Sequence, residues 1–477
     1  MRSVVIPLLF AVAGIFIAWI LVGLQASPFN LNAFVAMVLT TVALLASPEL
    51  AFYLLGASIT FFDPRFSFGG INLWLHHWII LAGLILVLIK TVRSHQKIRL
   101  GLIDLCLGIL LLTFAIPIIN SPDRGLSLKW TLYFVMLITA YFLFRLEVSK
   151  PRLLRRVLVF LVLCGAANAL IGVFLTGTGG RTAALVLNKP NALGNFLALL
   201  VPLLLSLLLS EGVGPRIKVC AGVSGIIIGI GLLSTFSRSA WLGAFTGCLA
   251  LGFFRRRAGY FFGLILLAGI LYLLPPVQER LVDDLSDSGV VFRRAKIEMA
   301  WDMFIKNPLF GEGPGSFQAH ARQADYWGIK AHTGLENLYM RILAEGGILQ
   351  AAAFLFLFIA LTRQGIIAAG RLEPGFVKAG LIGSVAGCWV IIGSGIGEDP
   401  FIFPMINWLI GFFLAIIVIS PRCSDADDEA DRHPQPPPRG GGEERQRDAG
   451  IKPGCGGRNT SPGLTPPPAR RKPPGRG

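Results

Sequence analysis

The chain has 477 residues, of which 54% are hydrophobic and only 15% are charged, and its formal net charge is +16. Soluble domains carry about 25% charged residues, so this composition excludes a soluble globular protein. The basic balance does not indicate nucleic-acid binding, because membrane proteins concentrate Lys and Arg in their cytoplasmic loops. We therefore expect the lipid bilayer, and no nucleic acid, as a partner.

Apolar runs of membrane-spanning length recur as far as about residue 420. They predict an all-α polytopic integral membrane protein with about 12–14 transmembrane helices. The first run lacks a small-x-small cleavage site and further spans follow it, so we interpret it as a helix rather than a secretion signal. The predicted spans are 4–24, 31–46, 50–62, 74–90, 101–119, 127–144, 153–175, 191–210, 217–234, 239–254, 259–275, 338–362, 377–396 and 401–420.

Basic clusters alternate with the predicted spans. Each cluster falls at every second junction, which is the pattern expected if all of them face the cytoplasm. The clusters are Lys90 to Arg99, Arg145 to Arg156, Arg216 with Lys218, Arg255 to Arg257, and Arg363 to Lys378. Both termini are then cytoplasmic, and the polar stretch at about 276–337 is one long extracytoplasmic loop that contains short helices.

Two regions follow from this map. Residues 1–420 are predicted to form the polytopic membrane domain. After Pro421 the sequence is rich in Pro, Gly and charged residues, with few aliphatic residues and no aromatic ones. Such a segment cannot bury enough surface to fold. Residues 421–477 are therefore predicted to be a disordered cytoplasmic tail.

Neither a metal nor a cofactor is indicated. The seven cysteines show no metal-ligand spacing and are interpreted as packing residues. The long loop contains no Asp-x-Asp motif and no His/Asp cluster. Its glycine-rich GEGPGSF at 311–317 follows no strand and precedes no Lys-Ser or Lys-Thr pair. This pattern predicts a turn rather than a phosphate cradle.

Three outward junctions carry arginines where the chain meets the bilayer. Arg181 precedes the span that starts near residue 191, Arg238 lies between two spans, and Arg293 and Arg294 open the long loop. The positive-inside rule makes outward arginines unusual, and charges beside a membrane are candidates for function. The alternative is that each one reaches outer lipid headgroups. Their convergence on one face favours a shared anionic ligand.

Helical periodicity separates the two adjacent arginines. If 288–306 is a helix, Arg293 shares a stripe with Ile297, Ala300 and Phe304 and faces the bundle. Arg294 falls toward Glu298, four residues further along, where an ordinary surface ion pair forms. The sequence therefore predicts that Arg293 is the functional member of the pair.

His332 is the candidate catalytic base. A neutral imidazole near pH 7 suits a base that takes a proton from a sugar hydroxyl. Glu336, one helical turn later, either orients His332 or is itself the base. His320 is a weaker candidate in the same loop. His76 and His77, flanked by tryptophans, are interpreted as part of an aromatic belt at the membrane interface.

Four segments together resemble the O-antigen ligase-like family of bacterial membrane glycosyltransferases, which includes related polysaccharide polymerases. They are NKPNALGNF with Arg181 before it, SRSAW at 237–241, NPLFGEGPGSF with Arg293 before it, and AHTGLENLYMRILAEGGI at 331–348. The resemblance covers roughly residues 160–420 and rests on the order of these segments around the long outward loop.

The resemblance implies a GT-C-like helical bundle in the bacterial cytoplasmic membrane. Such a protein transfers a glycan from undecaprenyl diphosphate to a hydroxyl of an acceptor glycan or glycolipid at the extracytoplasmic face. By resemblance, Arg181, Arg238 and Arg293 bind the diphosphate. The histidine that matches the family's base is His332. Ligases typically have Asn directly after this histidine, whereas Thr333 stands here, and this leaves open both the base and the choice between ligase and polymerase.

The chemistry of the residues agrees with this resemblance. Displacing a lipid diphosphate requires cations for the developing charge, and arginine forks suit phosphate oxygens without a metal. A base on the opposite side of the anomeric carbon gives inversion. The main alternative is a transporter or flippase of lipid-linked glycans, which would place charges near the bilayer midplane rather than at one rim. A non-catalytic scaffold would need no converging arginines, and a peptidoglycan-type polymerase would need an essential acid in place of His332.

The alternating basic clusters generate a topology prediction. A Gln323→Cys variant should react with a membrane-impermeant thiol reagent in intact cells, because position 323 lies in the outward loop. A Gln446→Cys variant should react only after the cells are permeabilised, because position 446 lies in the cytoplasmic tail. The reverse labelling pattern would contradict the topology.

Overall fold

The computed structural model describes residues 31–61, 63, 65–68, 71–95, 98–148, 150–176, 181–255, 273, 278, 287–323 and 334–432. The first helices and the hairpin are α1 (Leu31–Ala46), α2 (Leu50–Phe61), β1 (Arg65–Phe68), β2 (Ile71–Trp74), α3 (Leu75–Arg93), α4 (Leu102–Ala115), a 3₁₀ turn (Ile116–Asn120), α5 (Arg124–Glu147), α6 (Pro151–Thr176), α7 (Pro190–Leu209), α8 (Pro215–Ser234) and α9 (Arg238–Arg255). They are followed by α10 (Asp287–Lys306), α11 (Ser316–Gln323), α12 (Leu338–Arg371), α13 (Phe376–Ser394), a 3₁₀ turn (Pro400–Ile402) and α14 (Pro404–Arg432).

The helices confirm the all-α polytopic fold class. Within the described ranges, eight helices are long and apolar enough to cross a membrane, and three shorter apolar helices accompany them. The predicted spans 191–210 and 217–234 coincide with α7 and α8 to within two residues. The antiparallel hairpin of β1 and β2 is a small exception. The predicted span 4–24, and the span 259–275 apart from residue 273, lie outside the described residues, so the total number of membrane helices stays a prediction.

The core of the bundle is built around α13, which packs against α7, α9 and α14. Aromatic rings fill the neighbouring contact between α5 and α14. The ring of Phe144 lies 4.5 Å from that of Phe412 and 6.2 Å from that of Trp408, measured between centroids. Because lipid tails are as apolar as these side chains, close packing rather than hydrophobic exclusion holds such helices together.

The segment predicted to be the long loop contributes α10 and α11, which pack on the beginning of α12. Their shared apolar cluster contains Met299 and Met303 from α10, Phe317 from α11, and Leu335 and Ala344 from the α12 side. The predicted short helices are therefore present, although α10 has 20 residues. This cluster fixes α10 against the bundle.

The helix α12 is broken at Gly347, where φ is 66° and ψ is −166°. This conformation interrupts the ladder of backbone hydrogen bonds, because non-helical dihedrals leave neighbouring N–H and C=O groups without intrahelical partners. The segment 308–313 fills the interruption. The amides of Glu312 and Gly313 donate to the carbonyls of Ala344 and Glu345, at 3.1 and 2.9 Å, and the amides of Ile348 and Leu349 donate to the carbonyls of Pro308 and Leu309, at 2.8 and 3.2 Å.

The sequence GEGPGSF forms the turn that was predicted for it. Gly311, Gly313 and Gly315 all have positive φ, at 66°, 96° and 79°. A Cβ atom on Gly311 would lie 2.3 Å from the carbonyl carbon of Glu345. The glycines are thus required by backbone conformation and by the close approach to α12, and not by a phosphate.

A buried ionic network anchors the first turns of α12. The Arg341 guanidinium donates to Glu345 at 3.0 Å and to Asp399, and it lies 4.5 Å from the ring centroid of Trp130. Buried charges are tolerated only when they are paired and hydrogen-bonded. This pairing holds the connection between α13 and α14 against α12.

The interpretation of His76 and His77 as an interfacial belt is wrong. Both residues are buried, and the Nδ1 atom of His76 lies 2.5 Å from a carboxylate oxygen of Asp63. The backbone N–H of Trp74 donates to Nδ1 of His77 at 3.2 Å. Adjacent tryptophans suggested a belt, but local hydrogen bonds draw both imidazoles into the interior.

The boundary of the predicted tail also changes. The helix α14 continues past Pro421 and ends at Arg432, so the start of the tail at 421 was placed too early. A proline just after the apolar part of a span favours a helix end, but here the helix passes through it. The rest of the predicted tail, 433–477, lies outside the described residues.

The break in α12 predicts different effects for two glycines of the same helix. Gly347→Ala should destabilise the protein, because a side chain at this conformation costs about 1–3 kcal/mol of strain and its Cβ would lie 2.5 Å from the backbone of Leu309. Gly370→Ala should be neutral or stabilising, because nothing lies within 4 Å of its Cβ and Ala favours a helix. Thermal unfolding in detergent measures both variants. Equal melting temperatures would contradict the role of the break.

Candidate active site

A cavity of about 270 Å³ lies where the segments before α7 and α9 meet α10, the start of α12 and the end of α13. The three arginines singled out in the sequence all line it, although they belong to segments far apart in the chain. The lining residues are Arg181, Asn191, Phe236, Ser237, Arg238, Ser239, Arg293, Glu336, Gly397 and Glu398. We call this space the arginine cavity.

Arg181 is held by the ends of two helices. Its Nε donates to the carbonyl of Thr235 at 3.2 Å, just after α8, and a terminal nitrogen donates to Oδ1 of Asn191 at 2.6 Å, in the first turn of α7. The amide of the neighbouring Thr182 donates to the carbonyl of Ser234 at 3.0 Å. These bonds join the α6–α7 connection to the α8–α9 turn and direct the guanidinium toward the cavity.

Arg238 is the first residue of α9 and follows a tight turn. Phe236 in this turn has a positive φ of 49°, and Trp241 donates its indole N–H to the carbonyl of Leu232 at 3.0 Å. The N-terminus of α9 therefore opens at the arginine cavity, together with Ser237 and Ser239. Unpaired backbone amides at a helix start favour an anion, as does the adjacent guanidinium.

The two adjacent arginines of α10 have different surroundings, as the sequence predicts. Arg294 forms an exposed ion pair with Glu298, 2.7 Å away, which confirms its place on the outer surface. Arg293 lines the arginine cavity, and its Nε lies 3.8 Å from a carboxylate oxygen of Glu336.

The predicted inner stripe of α10 is partly wrong. Ala300 is fully buried, but Ile297 is 41% exposed. The buried positions are Ala295, Lys296, Met299, Ala300 and Met303. Because α10 packs on both α11 and α12, its buried face is rotated toward Lys296 from the stripe that the sequence favoured.

Glu336 connects the cavity to the interior of the loop region. Besides its approach to Arg293, it accepts a hydrogen bond from Nζ of Lys296 at 3.3 Å. The next residue, Asn337, caps α12 by accepting from the amide of Met340 at 2.9 Å. Its own amide group donates to the carbonyl of Ile396 at 2.9 Å. The start of α12 and the end of α13 are thus fixed to each other.

Glu398 is a buried acid that the sequence reasoning missed. Asn191 donates to one of its carboxylate oxygens. Burial, and then the negative charge of Glu336, raise the pKa of Glu398 to about 7. The available signal was the acidic GEDP at 397–400, which falls at an outward junction of the predicted topology. The hydrophobic periodicity of the predicted spans does not single out Glu398, because this residue lies between two spans.

The arginine cavity has an excess of positive charge. Three guanidinium groups face two carboxyl groups, and a pKa of about 7 leaves one of these carboxyls largely neutral in mildly acidic conditions. Guanidinium groups bind phosphate oxygens in paired hydrogen bonds. The geometry is suited to an anion with several oxygens.

Only some of the candidate bases can be located relative to the arginine cavity. His332 and Thr333 lie outside the described residues. Glu336 lines the arginine cavity. His320 does not line it, and its Nε2 lies 2.5 Å from a carboxylate oxygen of Glu312. Within the described ranges, no group of three or more His, Cys, Asp or Glu side chains has a geometry that would hold a metal ion.

An apolar groove of about 770 Å³ runs between α12 and α13, beginning beside the same end of the bundle. Tyr339 and Ile392 line its upper end, where the Tyr339 hydroxyl donates to the Ile392 carbonyl at 2.5 Å. Phe358 and Trp389 line its middle, and Arg363 lies at its far end. The groove therefore extends along most of the length of a membrane helix.

Comparison with known proteins gives a match for part of the chain. Residues 223–355 match the family model described as O-antigen ligase. The matched region runs from α8 into α12 and contains Arg238, Arg293 and Glu336, whereas Arg181 and Glu398 lie on either side of it. No curated protein matches the chain.

Proposed function

We propose that this protein, a member of the O-antigen ligase-like family, transfers a glycan from undecaprenyl diphosphate to an acceptor hydroxyl at the extracytoplasmic face of the bacterial cytoplasmic membrane. The observation that carries the proposal is the convergence of Arg181, Arg238 and Arg293 on one cavity. Three cations drawn from separate segments suit a diphosphate, whose negative charge increases as it leaves the sugar.

In the proposed reaction the acceptor oxygen attacks the anomeric carbon of the glycan. The bond from this carbon to the diphosphate oxygen breaks, and its electron pair remains on the diphosphate. The hydroxyl proton passes to a base on the acceptor side, so the anomeric configuration inverts. Arginines that contact the diphosphate stabilise the transition state more than the bound donor, which is the condition for acceleration.

The proposed base is His332, with Glu336 as its partner. Glu336 is engaged by Lys296 and Arg293, at 3.3 and 3.8 Å, and is held at the edge of the cavity. The segment that carries His332 leads directly into this residue. A neutral imidazole accepts a proton near pH 7, as the transfer requires.

The polyprenyl chain of the donor is proposed to lie in the groove between α12 and α13. The groove is lined almost entirely by apolar side chains, and two of them, Leu355 and Ile359, are more than half exposed. Its upper end lies beside Tyr339, three residues after Glu336 in the chain. A lipid placed there has its diphosphate at the end of the bundle that carries the arginine cavity.

A transporter or flippase of lipid-linked glycans is supported less well. Such a protein needs charged groups along a path through the bilayer, commonly at broken helices near the midplane. The arginine cavity lies instead at helix ends. The break in α12 is filled by the segment 308–313 and therefore does not present free backbone groups to a substrate.

The adjacent arginines of α10 provide the test of the proposed function. Purified protein should transfer glycan from undecaprenyl diphosphate to an acceptor without ATP. Arg293→Ala should lower the rate by about 10²–10³, which is typical for loss of one transition-state donor, and Arg293→Lys should recover little because an ammonium lacks the paired fork. Arg294→Ala is the matched control and should retain most activity, because its pair with Glu298 is exposed. Equal losses at both positions would contradict the assignment.

Glu398 predicts a pH dependence of donor binding. Its carboxyl is largely neutral below its pKa of about 7 and charged above it. The charged carboxylate weakens the attraction of the arginines for the donor diphosphate. The KM for the donor should therefore increase as the pH rises through about 7. Glu398→Gln retains an oxygen for Asn191 but cannot ionise, so its donor KM should stay near the low-pH value. An unchanged pH profile in this variant would exclude Glu398 as the titrating group.

A further inference from the structure

We infer that Lys296 is a positioning residue that holds the segment 334–336 beside the arginine cavity and keeps Glu336 from competing with the donor for Arg293. This inference rests on the proposed function. It concerns a residue that lies behind the cavity and does not line it.

The first observation is the burial of the Lys296 ammonium. The side chain is only 2% exposed, and it lies on the inner face of α10 between Ala295 and Met299. Removing an ammonium from water costs several kcal/mol unless it is well paired. A methionine or leucine would satisfy the apolar surroundings of α10 equally well. The buried charge is therefore explained by the groups to which Lys296 donates hydrogen bonds, and not by the packing of α10.

These partners lie in one short segment on the far side of the loop. Nζ donates to the carbonyl of Gly334 at 3.1 Å and to Oε1 of Glu336 at 3.3 Å. Gly334 has no side chain with which to anchor itself. One ammonium thus fixes both the backbone and the carboxylate of the segment that joins His332 to the start of α12.

The second observation is that Glu336 is shared between two cations. One carboxylate oxygen lies 3.3 Å from Lys296, and the other lies 3.8 Å from Arg293. When a diphosphate binds Arg293, the carboxylate must give up this approach. In that state Glu336 still has Lys296 as a charged partner, and the Arg293 guanidinium can bind the donor.

Without Lys296, Glu336 would still have Arg293 as a charged partner. The carboxylate would then compete with the phosphate oxygens for the same guanidinium. Donor binding should weaken, and the segment 334–336 should become more mobile. Replacing Glu336 with a neutral residue should restore donor binding, but it should not reduce the mobility of the segment 334–336.

The test measures donor KM and kcat for the purified full-length protein and for four variants. Lys296→Met should raise the donor KM by about tenfold, as expected for a lost hydrogen bond to a charged group. Lys296→Arg should restore part of this loss, because it retains a buried cation. Lys306→Met, in the exposed last turn of the same helix, should match the unchanged protein. The double variant Lys296→Met with Glu336→Gln should have a lower donor KM than Lys296→Met alone.

Amide hydrogen exchange provides a readout that does not depend on transfer. The amides at 334–338 should exchange faster in Lys296→Met, while those of α13 should be unchanged if the variant is folded. A Lys296→Met protein with unaltered donor KM and unaltered exchange would overturn the inference. An equal KM in the single and double variants would overturn the competition between Glu336 and the donor. If the unchanged protein transfers no glycan, the proposed function fails, and the exchange measurement still decides whether Lys296 holds the segment.

Discussion

The break in α12 is the constraint on which the rest of the site depends. A helix opened at Gly347 leaves carbonyls and amides that must find partners, because unsatisfied backbone groups are costly inside a membrane protein. The segment 308–313 supplies those partners through four backbone hydrogen bonds. The same bonds attach the segment between α9 and α12 to the bundle, and α10 with Arg293 and Lys296 is attached with it. A loop held by backbone bonds is placed more precisely than one held by exposed side chains.

A second set of bonds aligns the acids with the arginines. The amide of Leu338 donates to the carbonyl of Gly395 at 2.9 Å, and Arg341 pairs with Asp399. The start of α12 and the connection after α13 are therefore held together. Glu336 and Glu398 belong to these two segments and are brought to the same cavity. The raised pKa of Glu398 follows from this arrangement, because burial and a neighbouring carboxylate both disfavour its charge.

The fold was more predictable from sequence than the site. The ends of α7 and α8 follow directly from where apolar runs meet polar residues, since hydropathy reports the bilayer. Outward arginines were recognisable because they depart from that rule. Lys296 and Glu398 were not, because their burial depends on contacts with residues distant in the chain. Helical phase placed Arg294 correctly but misjudged Ile297, since it assumes one packing partner whereas α10 has two. The buried His76 was missed for a similar reason, because its partner Asp63 lies in another segment.

The balance of charge in the arginine cavity bears on turnover as well as on binding. In the proposed reaction, a site with three arginines and no acids would hold the released lipid diphosphate tightly, and slow product release would then limit kcat. Two carboxyls reduce this excess. One of them, Glu336, can move its charge toward Lys296 when the donor arrives, and the other, Glu398, can take up a proton. In the proposed reaction, product release restores the contact between Glu336 and Arg293, so an internal carboxylate replaces the departing phosphate. In the proposed reaction, the acids that lie beside the arginines thus favour release of the diphosphate product, which a purely cationic cavity would retain.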